Sequence, residues 1–128
     1  MASTESRGPR QIVAAMIWSF KGLRAAWRYE ASFRLEVWLT LILLPLGLWA
    51  GQGAVEKLLL AGSLLLVLSM ELINSAVETV VDKVSPEIHE LAGRAKDLGS
   101  AAVFVLMLNV ALCWGLIVAP RAWQWLFA

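Results

Sequence analysis

The sequence predicts an all-α membrane protein in which an N-terminal amphipathic surface helix precedes three transmembrane helices, the whole forming one membrane domain over residues 1–128. Three observations carry this expectation. Hydrophobic residues make up 59% of the chain and charged residues only 16%, a balance far from that of a soluble domain. The apolar residues gather in three long runs, near 35–51, 55–84 and 97–119, each of a length that spans hydrocarbon as a helix. Ahead of the first run, apolar residues recur at a helical period instead of continuously.

Segment 9–30 is the periodic one. Ile12, Met16, Phe20, Leu23 and Trp27 share one side of a helix, while Arg10, Lys21, Arg24 and Arg28 fall within a narrow sector of the other. Such a helix rests on a bilayer, its cations toward anionic headgroups and Trp18 and Trp27 at the interface. Periodicity alone does not separate a plain anchor from a helix that also lines a site. Glu30 is an acid in a basic segment, four residues before Arg34, and a helical ion pair is its simplest explanation.

The first span, 35–51, is opened by Trp38 and closed by Trp49, and contains Pro45 and Gly47, which membrane helices tolerate. The second, 55–84, would measure roughly 45 Å as a helix against a hydrocarbon core of about 30 Å, so its end must protrude. Ser85-Pro86-Glu87 reads as an N-cap followed by a first-turn proline, which predicts that a short helix starts there, in a loop over 85–96. The third span, 97–119, has no charge from Leu98 to Ala119; Pro120, Arg121, Trp123 and Trp125 follow in a tail over 120–128 as an interfacial belt. The first long apolar run begins too late for a signal peptide, so the whole chain is expected to be retained. Cys113 is the single cysteine and can make no internal disulfide.

Arg7, Arg10, Lys21, Arg24, Arg28 and Arg34 crowd the first third, and Lys83 to Lys96 is also basic, whereas the link around Gly51 to Lys57 has one lysine and the tail one arginine. That asymmetry predicts a cytoplasmic N-terminus and second loop, and a periplasmic tail. A net charge of +1 gives no reason to expect a nucleic-acid partner.

The run Glu71-Leu-Ile-Asn-Ser-Ala-Val-Glu78 is where function is expected. At about 100° per residue, Glu71, Asn74, Ser75, Glu78 and Asp82 form one polar stripe. A carboxylate at the centre of a membrane helix costs roughly 3 kcal/mol on insertion scales, against about 0.5 kcal/mol gained per leucine. Helix-to-helix glue would be the bland use of such residues; the default for ionisable intramembrane residues is function. Counted inward from Leu58, Glu71 lies about 20 Å and Glu78 about 30 Å along the helix, at lipid depth and at the membrane surface. In the following loop, His89, Glu90, Arg94, Lys96 and Asp97 have the content of a phosphate site, although Arg94 and Lys96 also suit positive-inside anchors. No Walker-type phosphate loop and no protein-kinase signature is present.

The strings KGLRAAW (Lys21 to Trp27), ELINSAVE (Glu71 to Glu78) and HELAGRAKDLGSAAV (His89 to Val103) resemble, in order and spacing, the small integral-membrane diacylglycerol kinases of Gram-negative bacteria, a resemblance running from about Ile12 to Trp114. It implies a homotrimer in the bacterial inner membrane, with sites shared between protomers, that uses ATP and Mg2+ to phosphorylate diacylglycerol among the membrane lipids. Residue by residue, it implies Glu71 as general base with Asn74 its polar neighbour, and Glu30 and Glu78 as acids holding the metal on the ATP phosphates. Lys96 and Asp97 match the nucleotide-contacting pair, Glu87 and His89 match loop positions that contact nucleotide, and Ser100 and Trp114 match lipid-contacting positions. Met16, Ile17 and Trp18 depart from a smaller, tyrosine-containing stretch; Trp18 would be the aromatic against adenine. An undecaprenol kinase of related fold would share the catalytic strings, and a small proton-coupled transporter would also use a membrane-depth glutamate. The surface acids and Lys96 favour a kinase, because phosphoryl transfer needs a positioned hydroxyl, a metal and a cation, and oxygen donors suit magnesium.

Overall fold

A computed structural model describes residues 8–128; Arg7, counted above among the N-terminal cations, lies outside the described residues. Four helices follow one another: α1 (Pro9–Tyr29), α2 (Ala31–Ala50), α3 (Gly53–Val84) and α4 (Glu90–Phe127). The last three are long and apolar enough to cross a membrane.

Pro9 occupies the first position of α1, where its missing N–H costs nothing. Glu30 is extended, with φ −114° and ψ 105°, and this single residue separates α1 from α2. Its own N–H still bonds Ala26 O at 2.9 Å, closing α1, while its carbonyl accepts from Arg34 N at 3.2 Å and opens α2. The guanidinium of Arg34 turns back onto the end of α1, donating to Trp27 O at 2.8 Å and Arg28 O at 3.2 Å. A cation on the last carbonyls of a helix satisfies acceptors that have no intrahelical donor. The expected Glu30–Arg34 ion pair is therefore replaced: Glu30 lies at a helix break, and Arg34 is engaged by the backbone.

α2 starts at Ala31, earlier than the apolar run, and carries Pro45 within it. Gly51 and Gln52 turn the chain into α3, whose first residue, Gly53, has φ +79°, a conformation open to glycine at little cost. The buried stripe of α3 is Leu60, Ser63, Leu64, Val67, Glu71 and Asn74, spaced by three and four so as to lie on one face. That seam begins apolar and ends polar, which is what delivers Glu71 and Asn74 to the interior.

The loop is shorter than expected. Ser85 closes α3, its N–H bonding Val81 O at 2.8 Å, and α4 begins at Glu90 with His89 as N-cap, Nδ1 accepting from Leu91 N at 3.1 Å. Ser85 thus ends a helix where the sequence suggested it would start one, because an imidazole four residues later takes the capping role. α4 also continues through Pro120 to Phe127, where a tail was expected. It packs on α3 more extensively than any other pair of helices. At Gly99 a Cβ would collide with Asn74 Oδ1, so the close approach of α4 to the polar end of the seam depends on that missing carbon. At the other end, Arg121 donates to both carboxylate oxygens of Glu56, at 2.6 and 2.9 Å, and to Ala50 O at 2.9 Å, fastening α4 across the α2–α3 turn. Leu60 is the only fully buried large side chain among the described residues, while Leu41, Ile42, Leu58, Phe104 and Leu116 are each more than half exposed, as suits surfaces facing lipid or other apolar helices.

Candidate functional site

An open cleft of about 370 Å³ lies where the break at Glu30, the polar end of the α3 seam and the 100–107 stretch of α4 meet, lined by Glu30, Ser32, Glu36, Glu71, Asn74, Glu78 and Ser100, with Val103, Phe104 and Met107. Five residues singled out in the sequence are brought together here: Glu30, Glu71, Asn74, Glu78 and Ser100. Glu71 and Asn74 are buried, at 6% and 8% exposure. Ser32 Oγ donates to Glu71 Oε1 at 3.0 Å, and Asn74 Nδ2 donates to Glu78 Oε1 at 3.4 Å, one helical turn apart on α3. Asn74 Oδ1 is buried without a donor. In chemical terms the cleft offers two acids toward its rim, Glu30 and Glu78, and a deeper carboxylate aligned by a hydroxyl.

The polar stripe of α3 divides. Ser75 turns away from the cleft into a groove of about 840 Å³ between α1 and α3, which Tyr29, Glu30, Leu72, Ala76 and Thr79 also line. Asp82 pairs with Lys96 on α4, and this hydrogen bond holds the Lys96 ammonium above its ordinary pKa. Lys96 then belongs to a separate pocket of about 200 Å³ beside the α3–α4 loop, with Glu87 and His89. Trp18, 66% exposed on α1, and Asp97, exposed on α4, line neither the cleft nor that pocket. Trp114 sits deeper along α4, its ring against Gly47 and its Nε1 buried without a partner; within one chain it does not reach Ser100 and the cleft.

Two cleft residues escaped the reading of the sequence. Ser32 gave no signal there, since a lone serine near a helix start is commonplace. Glu36 did: it falls inside the first apolar span, and the reasoning that singled out Glu71 applies to it equally. Among the described residues, no group of three or more His, Cys, Asp or Glu side chains is placed to hold a metal. Two carboxylates, rather than a full protein cage, suit a magnesium ion whose remaining positions are filled by phosphate oxygens and water.

The family model described as prokaryotic diacylglycerol kinase matches residues 17–118. The chain is 44% identical to the diacylglycerol kinase of Haemophilus influenzae over 111 residues, 87% of this chain and 94% of that protein. It is 40% identical to the diacylglycerol kinase of Escherichia coli over 116 residues, 91% and 95% of the two chains. With the Pseudomonas aeruginosa diacylglycerol kinase it shares 40% identity over 111 residues, 87% and 90% of the two.

Proposed function

The chain belongs to the prokaryotic diacylglycerol kinase family, and from that premise we propose that it transfers the γ-phosphoryl group of MgATP to the free hydroxyl of diacylglycerol, giving phosphatidic acid and ADP. The observation that carries the reading is the cleft itself, which joins the buried Glu71 carboxylate to the less buried Glu30 and Glu78. Glu71 accepts the hydroxyl proton as general base, held in line by Ser32. Glu30 and Glu78 hold the magnesium ion, and Asn74 steadies Glu78 through its amide. When bound, the metal neutralises phosphate charge that builds up during transfer. Ser100, at the mouth of the cleft, contacts the lipid headgroup.

Lys96, Asp97, Glu87 and His89 contact the nucleotide, and Trp18 stacks on its base. These residues lie apart from the cleft within one chain, as does Trp114, which supports a homotrimer whose sites are completed by neighbouring protomers. α1 lies on the cytoplasmic face of the bacterial inner membrane as an amphipathic helix, and the N-terminus and the α3–α4 loop share that side.

The test is a competition in detergent micelles, with a dioleoyl glycerol and a polyprenol at equal mole fraction and MgATP in excess. Diacylglycerol should be phosphorylated preferentially, because its hydroxyl is tethered near the headgroup plane, where Glu71 would meet it. A preference of tenfold or more for the polyprenol, about 1.4 kcal/mol of transition-state discrimination, would reassign the chain as an undecaprenol kinase.

A further inference from the structure

The break at Glu30 has no cause in its own residues. From Leu23 to Leu44 the chain contains neither glycine nor proline, so nothing local stops a helix from running through Glu30. In such a helix the carbonyls of Trp27 and Arg28 would accept from the amides of Ala31 and Ser32, four residues on. With Glu30 extended between α1 and α2, those donors are lost, and the guanidinium of Arg34 stands in for both, at 2.8 and 3.2 Å. A charged donor caps open carbonyls more strongly than a neutral one. Trp27 also meets Trp38 of α2 edge to face, with ring centroids 6.0 Å apart, so the end of α1 is held to α2 at a second point.

What this clamp controls is the direction of one side chain. Glu30 lines the cleft with Glu71 and Glu78, and it also borders the groove between α1 and α3. Moving the break by one residue, or closing it into a continuous helix, would turn the Glu30 side chain by about 100° around the axis, away from the cleft. The clamp has a second effect, on charge. Arg34 stands four residues after Glu30, the spacing of a helical ion pair, yet the three ion pairs among the described residues leave Glu30 out. Because the guanidinium is engaged by backbone carbonyls, the Glu30 carboxylate keeps its oxygens open.

We propose that Arg34 is a positioning residue for Glu30: by capping α1 at Trp27 and Arg28 it maintains the helix break, and so holds the Glu30 carboxylate in the cleft, free of an ion pair and available to the magnesium ion. The inference rests on the reading of Glu30 as a metal-holding acid. Its sign is opposite to that of simple electrostatics. Removing a cation from beside a carboxylate site should tighten a divalent ion by Coulomb's law, whereas removing a positioning residue loosens it.

The experiment titrates Mn2+ into the assembled full-length protein in detergent micelles, with a β,γ-methylene analogue of ATP present, and reads free Mn2+ by electron paramagnetic resonance, so that no turnover is involved. Arg34→Gln should weaken Mn2+ binding about tenfold, the lower end of what a metal site loses with a contact that orients one of its ligands. In the Glu30→Gln background the same substitution should change nothing further, because the clamp acts through Glu30. In steady-state turnover, Arg34→Gln should raise the magnesium concentration for half-maximal rate by a similar factor and leave kcat at saturating magnesium close to that of the wild type. The inference is overturned if Arg34→Gln binds Mn2+ as tightly as the wild type or more tightly, or if its loss adds in full to that of Glu30→Gln. Should Arg34→Gln fail to assemble, Arg34→Lys, which keeps the charge without the planar guanidinium, decides by the same two comparisons. If Glu30→Gln alone leaves Mn2+ binding unchanged, the metal role of Glu30 falls and the inference falls with it. A protein that binds Mn2+ as expected but phosphorylates no lipid alcohol overturns the kinase reading and leaves the clamp standing.

Discussion

Glu71 and Glu78 stand seven positions apart on α3, and the different donors they receive, Ser32 on one and Asn74 on the other, suit them to different work. Glu71→Gln should abolish turnover while leaving MgATP affinity nearly intact, because a base acts in the transfer step and its loss appears in kcat. Glu78→Gln should instead weaken MgATP binding and steepen the dependence on magnesium concentration. Steady-state kinetics with magnesium titrations check both, and equal loss of nucleotide binding in the two variants would contradict the assignment. At this scale much of the cleft was legible in the sequence, since helical spacing puts residues 71, 74 and 78 on one face whatever the partner helices do. Glu30 was legible only as an anomaly. Its release from Arg34 depends on where α1 ends, and that is set by a backbone break that no residue pattern announces. Lys96 was visible as a cation, but its pairing with Asp82 depends on the register between two helices.

Among the elements, the α3–α4 contact sets the shape of the cleft, and Gly99 against Asn74 is its tightest point. Gly99→Ala should cost about 1–3 kcal/mol through overpacking and displace the Asn74 amide from Glu78, so that thermal stability in detergent and MgATP affinity fall together. Unchanged values for both would mean that α4 has room to move. The presence of three apolar helices followed from hydropathy, because burial in lipid leaves few alternatives to a helix. Their ends did not. Ser85-Pro86 and His89 are both competent helix starters, and the choice of His89 comes from continuation of α3 to Val84. Pro120 could have stopped α4, but a proline costs a helix less where neighbouring residues resatisfy the backbone.

The buried seam of the molecule ends in polar contacts on both sides: the cleft at one end and the Arg121–Glu56 contact at the other. With Cys113 replaced, a cysteine at position 85 should be protected from a membrane-impermeant thiol reagent in intact cells, and one near Gly53 should react; the reverse pattern would invert the proposed orientation. If sites are completed between protomers, coassembly of Glu71→Gln chains with Lys96→Ala chains should restore activity that neither has alone. Absence of recovery in assembled mixtures would confine each site to one chain.

The clasp made by Arg121 also has a consequence for the order of events during biosynthesis. Its two partners, Glu56 and the carbonyl of Ala50, are translated long before it, on either side of a hairpin turn that must already lie across the bilayer when Arg121 emerges. Until then, the turn is held by local bonds only, among them the Gln52 N–H on the Glu56 carboxylate at 2.9 Å. The last helix accordingly acts as a latch on the first two, and fidelity of folding rests on a residue the ribosome supplies only after every apolar segment has been made.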